Sequence, residues 1–155
     1  MKSVGVGDPA PAFTLPGTAP DGGGVTDYSL TDFAGRPVVI AFYPGDDTSV
    51  CTKQLNDYNE GIEVFNDLDA QILGISSQDV DSHDRFSAKY GFTFPLLADT
   101  DKAVAKKYGT LGPIGFPRRS VFIVDGRGVI RYAHRAIAGL TFRPTSELVA
   151  VLRQL

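Results

Sequence analysis

The stretch Val38-Val39-Ile40-Ala41-Phe42-Tyr43-Pro44-Gly45-Asp46-Asp47-Thr48-Ser49-Val50-Cys51 decides how this chain folds. Its first six residues are continuously apolar and rich in β-branched side chains, the pattern of a strand covered on both faces in a parallel sheet, and Pro44-Gly45 ends it. Beyond the turn, Leu55, Tyr58, Ile62 and Phe65 recur at three- and four-residue spacing with Asp57, Asn59, Glu60 and Glu63 between them, which predicts an amphipathic helix. Asp46, Asp47, Thr48 and Ser49 are its N-cap candidates. The run Gln71-Ile72-Leu73-Gly74-Ile75-Ser76 reads as a second buried strand. Strand, helix and strand from about 37 to 76 therefore predict a right-handed βαβ unit in an α/β domain.

Upstream, residues 5 to 24 carry Pro9, Pro11, Pro16, Pro20 and the triple glycine Gly22-Gly23-Gly24, which forbid a helix and predict extended arms joined by turns, with Phe13 and Leu15 alternating inward. Downstream, a shorter helix is expected over about 80 to 90, closed by Gly91, and a strand from Phe94 to Ala98 with Pro95 at its start or on an edge. Thr100 is the expected cap of a further helix ending at Gly109. The loop Thr110 to Pro117 leads into the strand Ser120 to Val124, and Asp125-Gly126-Arg127-Gly128 turns it into Val129 to His134, a hairpin. Pro144 in a first turn, with Leu148, Val151, Leu152 and Leu155 on one stripe, predicts a C-terminal helix. No repeat, linker or second domain interrupts residues 1 to 155.

The chain has 155 residues, 43% of them hydrophobic, enough for one core without a metal or disulfide staple. Cys51 is the single cysteine, so no internal disulfide can form. With 15 Lys and Arg against 18 Asp and Glu, and no basic run longer than Arg118-Arg119, the chain lacks the electrostatic footprint of a nucleic-acid or anionic-membrane binder. No apolar run approaches the ~20 residues of a membrane span, and Met1 to Pro11 lacks a signal h-region. A lone thiol fits a reducing compartment, and the expected location is cytoplasmic.

Ligands of open α/β sheets bind beyond the carboxyl ends of the strands, where Pro44 to Cys51 would lie. In the first turn of the following helix, unpaired N–H groups and the helix dipole favour a thiolate over a thiol. Asp46 and Asp47 oppose this, so a nearby cation is required. Read singly, a free cysteine is usually an inert buried hydrophobe, Thr48 a helix cap, Pro44 a strand stop and Arg119 a surface arginine. Their joint occurrence at one spacing selects the functional reading.

Pro44-Gly45-Asp46-Asp47-Thr48-Ser49-Val50-Cys51 resembles the Pro-x-x-x-Thr-x-x-Cys motif of peroxiredoxins. The resemblance extends to Gly7-Asp8-Pro9-Ala10-Pro11-Ala12-Phe13-Thr14-Leu15-Pro16 near the N-terminus and to Arg119-Ser120-Val121-Phe122-Ile123-Val124-Asp125, whose first residue matches the family's active-site arginine. Cys51-Thr52-Lys53-Gln54 is similar to the bacterioferritin-comigratory or Q-type branch, in which a Glu or Gln holds that arginine. The resemblance implies a thioredoxin-like α/β fold, a central mixed sheet flanked by helices with an N-terminal extended or hairpin addition. It further implies that Cys51 is the peroxidatic nucleophile, that Thr48 hydrogen-bonds thiolate and peroxide, that Pro44 shields the sulfur, that Arg119 supplies the cation and that Gln54 fixes the guanidinium. Arg118, on an alternating strand, is expected to point to the opposite face, into solvent.

Many members of that branch carry a resolving cysteine five residues after the first, where this chain has Asn56. A one-cysteine cycle follows, in which an outside thiol condenses with a Cys51 sulfenic acid and a second thiol reduces the mixed disulfide. The implied activity is a thiol-dependent peroxidase, with hydrogen peroxide or small organic hydroperoxides as substrates. A thioredoxin, a glutaredoxin-like protein or a low-molecular-weight thiol is the implied reductant, for a monomer or a homodimer that needs no cofactor. A redox sensor or adaptor signalling through a mixed disulfide at Cys51 is the alternative, and a scaffold without catalysis a third reading. His83 and His134 fall in different elements, so no zinc site or Cys-His pair is expected. Gly109 to Gly115 has the wrong spacing and context for a dinucleotide fingerprint.

Overall fold

The computed structural model describes residues 4–19, 25–112, 115–136 and 142–155; Pro20 and the triple glycine Gly22-Gly23-Gly24 lie outside the described residues. In chain order its elements are β1 (Thr14–Thr18), β2 (Val25–Ser29), a 3-10 turn (Leu30–Phe33), β3 (Val38–Phe42), α1 (Ser49–Glu60) and α2 (Ile62–Asp67). They continue with β4 (Gln71–Ser76), α3 (Val80–Tyr90), β5 (Leu96–Ala98), α4 (Ala103–Lys107), β6 (Ser120–Val124), β7 (Ile130–Arg135) and α5 (Thr145–Leu152). The strands form one seven-stranded sheet in the order β2-β1-β5-β4-β3-β6-β7.

All five residues of β3 are buried, because alternate side chains enter different cores. Val39, Ala41 and the following Tyr43 face a cluster with Leu55, Phe65 and Leu148. Val38, Ile40 and Phe42 face another with Leu73, Tyr108 and Phe122. The expectation of a wholly parallel environment is corrected: β3 runs parallel to β4 but antiparallel to β6. The sheet is therefore mixed, as the family resemblance implied. The N-terminal arm supplies the hairpin of β1 with β2, and β1 joins the sheet through Gly17 opposite Leu97.

The single predicted helix after β3 is two helices, broken at Gly61. A Cβ at Gly61 would lie 2.8 Å from Thr145 Cγ2, so the break is where α5 starts against α1. There the Thr145 N–H donates to Asp57 Oδ2 at 3.0 Å. Gly91 ends α3 in the left-handed conformation, φ +68°, as its position predicted. Thr100 is not the cap of α4: the Asp99 carboxylate accepts the N–H groups of Val104 and Ala105 at 3.1 and 2.9 Å. In the last helix the buried stripe is Leu148, Val149 and Leu152, while Leu155 lies beyond its end and is exposed.

Candidate active site

Tyr43 and Pro44 carry the chain off the carboxyl end of β3 into a loop that turns back through Asp47, whose φ of 56° is a left-handed conformation that Asp tolerates. Helix α1 then begins with Thr48 as its extended N-cap residue. The first bond of the helical pattern runs from Thr52 N–H to the Thr48 carbonyl at 2.9 Å, so Ser49, Val50 and Cys51 hold helix-start N–H groups without an acceptor four residues back. Cys51 sits on the inner side of this turn, fully buried in the core.

Arg119 leaves the chain just before β6, two and four residues before Val121 and Ile123, and reaches Cys51 in the core that those two residues share with it. Its Nη2 donates to Cys51 Sγ at 3.3 Å and its Nη1 to Gln54 Oε1 at 2.7 Å. Gln54 Nε2 in turn donates to the Tyr58 hydroxyl at 2.9 Å. All four residues are buried, with Arg119 only 3% exposed. Residues 51, 54 and 58 are spaced to share one side of α1, which is why one guanidinium from the sheet can address them together.

The structure thus brings Cys51, Arg119 and Gln54 together, and it adds Tyr58. Sequence reasoning placed Tyr58 in the apolar stripe and missed its hydroxyl, although its spacing of four from Gln54 was the available signal. Thr48 is exposed, and its hydroxyl donates to the Gly45 carbonyl at 2.9 Å instead of to the sulfur. Pro44 is half-buried between β3 and the loop. Arg118 is half-buried instead of solvated, and its Nε donates to the Ala136 carbonyl at 3.4 Å.

The two aspartates expected to oppose a thiolate are engaged elsewhere. Asp46 accepts from the Tyr43 hydroxyl, the Ser82 hydroxyl and His83 Nδ1, each at 2.7 Å. The Asp46 N–H donates to Gln78 Oε1 at 3.0 Å. His83 Nε2 meets the Leu97 carbonyl at 2.9 Å and must donate there, because a carbonyl only accepts. Burial works against an ionised Asp46, but the bonds and charge of His83, with Tyr43 and Ser82, outweigh it and hold the carboxyl below its usual range. Asp47 takes Lys89 Nζ at 2.8 Å and the Tyr90 hydroxyl at 2.7 Å on the surface. Both residues therefore moor the loop to α3, a function the sequence reading did not assign them. His134 lies on β7, and among the described residues no cluster of metal-ligating side chains is assembled.

This arrangement gives a sulfur at a helix start, a cation beside it and a water-poor surrounding in which directed donors act strongly. The AhpC/TSA family profile matches residues 6–133. Peroxiredoxin Q, chloroplastic, of Oryza sativa subsp. japonica is 39% identical over 133 residues, covering 84% of this chain and 59% of the relative. The protein of the same name from Populus jackii is 34% identical over 157 residues, covering 100% of this chain and 70% of the relative. The chain thus spans 59% of the rice relative's length. Among solved structures, Mycobacterium tuberculosis AhpC superposes with a TM-score of 0.88 at 28% identity, covering 98% of this chain and 93% of that one.

Proposed function

This chain belongs to the AhpC/TSA family, as a one-cysteine relative of the Q-type peroxiredoxins, and from that premise we propose that it is a thiol-dependent peroxidase. The observation that carries the reading is Arg119 bridging Cys51 Sγ and Gln54 inside the core. Cys51 thiolate attacks one oxygen of a peroxide, the O–O bond breaks, and the leaving oxygen takes a proton to depart as water or an alcohol. Cys51 is left as a sulfenic acid.

For any thiol, moving the pKa from about 8.5 to about 6 raises the thiolate fraction at pH 7 about thirtyfold, or ~2 kcal/mol. That gain is small for a peroxidase, so most of the acceleration comes from groups aimed at the charge developing on the peroxide oxygens. Arg119 and the N–H of Cys51 donate. Thr48 spends its proton on Gly45, which leaves its oxygen lone pairs to accept the peroxide O–H and orient the substrate.

Reduction begins when an external thiol condenses with the sulfenic acid, releasing water and leaving a mixed disulfide. A second thiol displaces Cys51, which returns to the reduced state while the two reductant sulfurs pair. Because Cys51 is fully buried, the loop 44–48 and the first turn of α1 must open for that step. Hydrogen peroxide and small organic hydroperoxides are the proposed substrates. A thioredoxin, a glutaredoxin-like protein or a small thiol is the proposed reductant. A cytoplasmic location is part of the same reading, supported by the reducing surroundings a lone cycling thiol requires.

The test is stopped-flow oxidation of the reduced protein by hydrogen peroxide and an organic hydroperoxide, with intact mass before and after and Cys51→Ser as control. Fast loss of the thiol with a gain of one oxygen is expected. Oxidation by both peroxides at the rate of an ordinary exposed thiol would overturn the reading.

A further inference from the structure

We infer that Tyr58 is a positioning residue for this site: its hydroxyl selects the orientation of the Gln54 amide and so keeps Arg119 aimed at the Cys51 sulfur. The inference rests on the reading of Cys51 as the reactive nucleophile.

A guanidinium only donates hydrogen bonds, whereas a glutamine amide has an accepting end and a donating end of nearly the same shape. One orientation gives Arg119 an acceptor, and the reversed one sets donors against donors. The observed orientation places Oε1 2.7 Å from Arg119 Nη1 and Nε2 2.9 Å from the Tyr58 oxygen, so both ends of the amide have complementary partners. Gln54 is fully buried, and water cannot take over either partner's part.

The ring of Tyr58 is itself held, packing edge-on against Phe65 at 6.3 Å and 81°. Burial also pushes its hydroxyl well above the usual tyrosine range, which keeps the oxygen a neutral acceptor. Without the hydroxyl, Nε2 is a buried donor with no acceptor, and the amide turns to find one. Oε1 then leaves Arg119, whose Nη2 loses its alignment with Sγ.

Replacing the amide by a carboxylate separates this role from packing. A carboxylate has two equivalent accepting oxygens and no donating end to misplace. In a Gln54→Glu background Tyr58→Phe therefore has no orientation to disturb, while any effect on packing persists.

The experiment compares wild type, Tyr58→Phe, Gln54→Glu and the double variant by the pH profile of Cys51 alkylation with iodoacetamide and by stopped-flow oxidation with hydrogen peroxide. With Gln54 in place, Tyr58→Phe is expected to move the alkylation profile to higher pH and to slow oxidation about 5- to 20-fold. In the Gln54→Glu background, where the carboxylate rescues it, the same substitution is expected to change either quantity by less than about twofold. Equal losses in both backgrounds, or no loss with Gln54, overturn the inference. If Tyr58→Phe does not fold, Gln54→Met, which removes both ends of the amide, must reproduce the alkylation shift, and an unchanged profile there overturns it equally. Alkylation needs no peroxide, so a wild-type protein inert to peroxides defeats the peroxidase reading while the Tyr58 effect on the thiol is still measured.

Discussion

On one side of the loop 44–48, Arg119 brings a cation to a buried sulfur and is steadied by a neutral amide and a neutral phenol. On the other side, Asp46 gathers Tyr43, Ser82 and His83 around a carboxylate, and its demand is met within its own surroundings. Both groups are buried and polar, yet they do different work. The first holds its positive charge beside a reactive sulfur, as chemistry requires. The second consumes its charge locally and moors the loop to α3, as a hinge or brace requires. A buried charge held among groups away from the reacting atom stabilises a shape, while one held beside a reactive atom can also alter that atom.

Substitutions can break that contrast. Arg119→Ala removes the directed donor, and the second-order rate of peroxide oxidation should fall by about 10²- to 10³-fold in stopped-flow, read at a temperature where circular dichroism shows the variant folded. A rate within a few-fold of wild type would remove Arg119 from the mechanism. His83→Phe attacks the mooring instead and leaves Asp46 without its imidazole. It is expected to cost about 3 kcal/mol, a fall of about 6–12 °C in the thermal midpoint, and an unchanged midpoint would contradict the brace.

Thr48→Val keeps the shape of the side chain but loses its lone pairs toward peroxide, and about tenfold slower oxidation is expected with an unchanged alkylation profile. Acid sharpens the comparison further. Asp46 is held below its usual range in the folded protein, so its contribution to stability is complete above the unfolded value near 3.9 and is lost as pH falls through the lower folded value. Thermal melts from pH 5 to 2.5 should show this loss, and Asp46→Asn should flatten it. The smallest effect is expected for Arg118→Ala, whose Nε bonds the Ala136 carbonyl and not the sulfur: oxidation should stay within about twofold of wild type.

Much of this was legible before any coordinates. The continuous apolar runs located β3 and β4 closely, because strands covered on both faces have no polar positions to blur the pattern. Glycine marked the end of α3, at Gly91, and the hairpin of β6 with β7, in Asp125-Gly126-Arg127-Gly128. The strand β2, Val-Thr-Asp-Tyr-Ser, went unread, since an edge strand with exposed residues has no apolar alternation to show. The start of α4 is not readable from Thr100, because the Asp99 and Asp101 carboxylates on either side of it compete with it for the helix-start N–H groups and the backbone path alone selects them.

At the site, the spacing of Pro44, Thr48 and Cys51 and the distant Arg119 were readable through their resemblance to a family motif. Tyr58 was not, because periodicity reports that a side chain is inside and is silent on where its hydroxyl points. From sequence alone Asp46 and Asp47 read as charges opposing the thiolate, for proximity in sequence says nothing of partners on α3.

By itself, then, the amino-acid sequence determined the α/β layout, the helix-start cysteine and the set of residue types available to it, since hydrophobic pattern and turn chemistry act over a few neighbouring residues. Only the tertiary structure decided which cation reaches the sulfur, which end of Gln54 faces Arg119 and which groups absorb the two aspartates. Those contacts join residues up to 68 positions apart, Cys51 and Arg119, and their energies depend on direction and burial that exist only once the sheet is assembled.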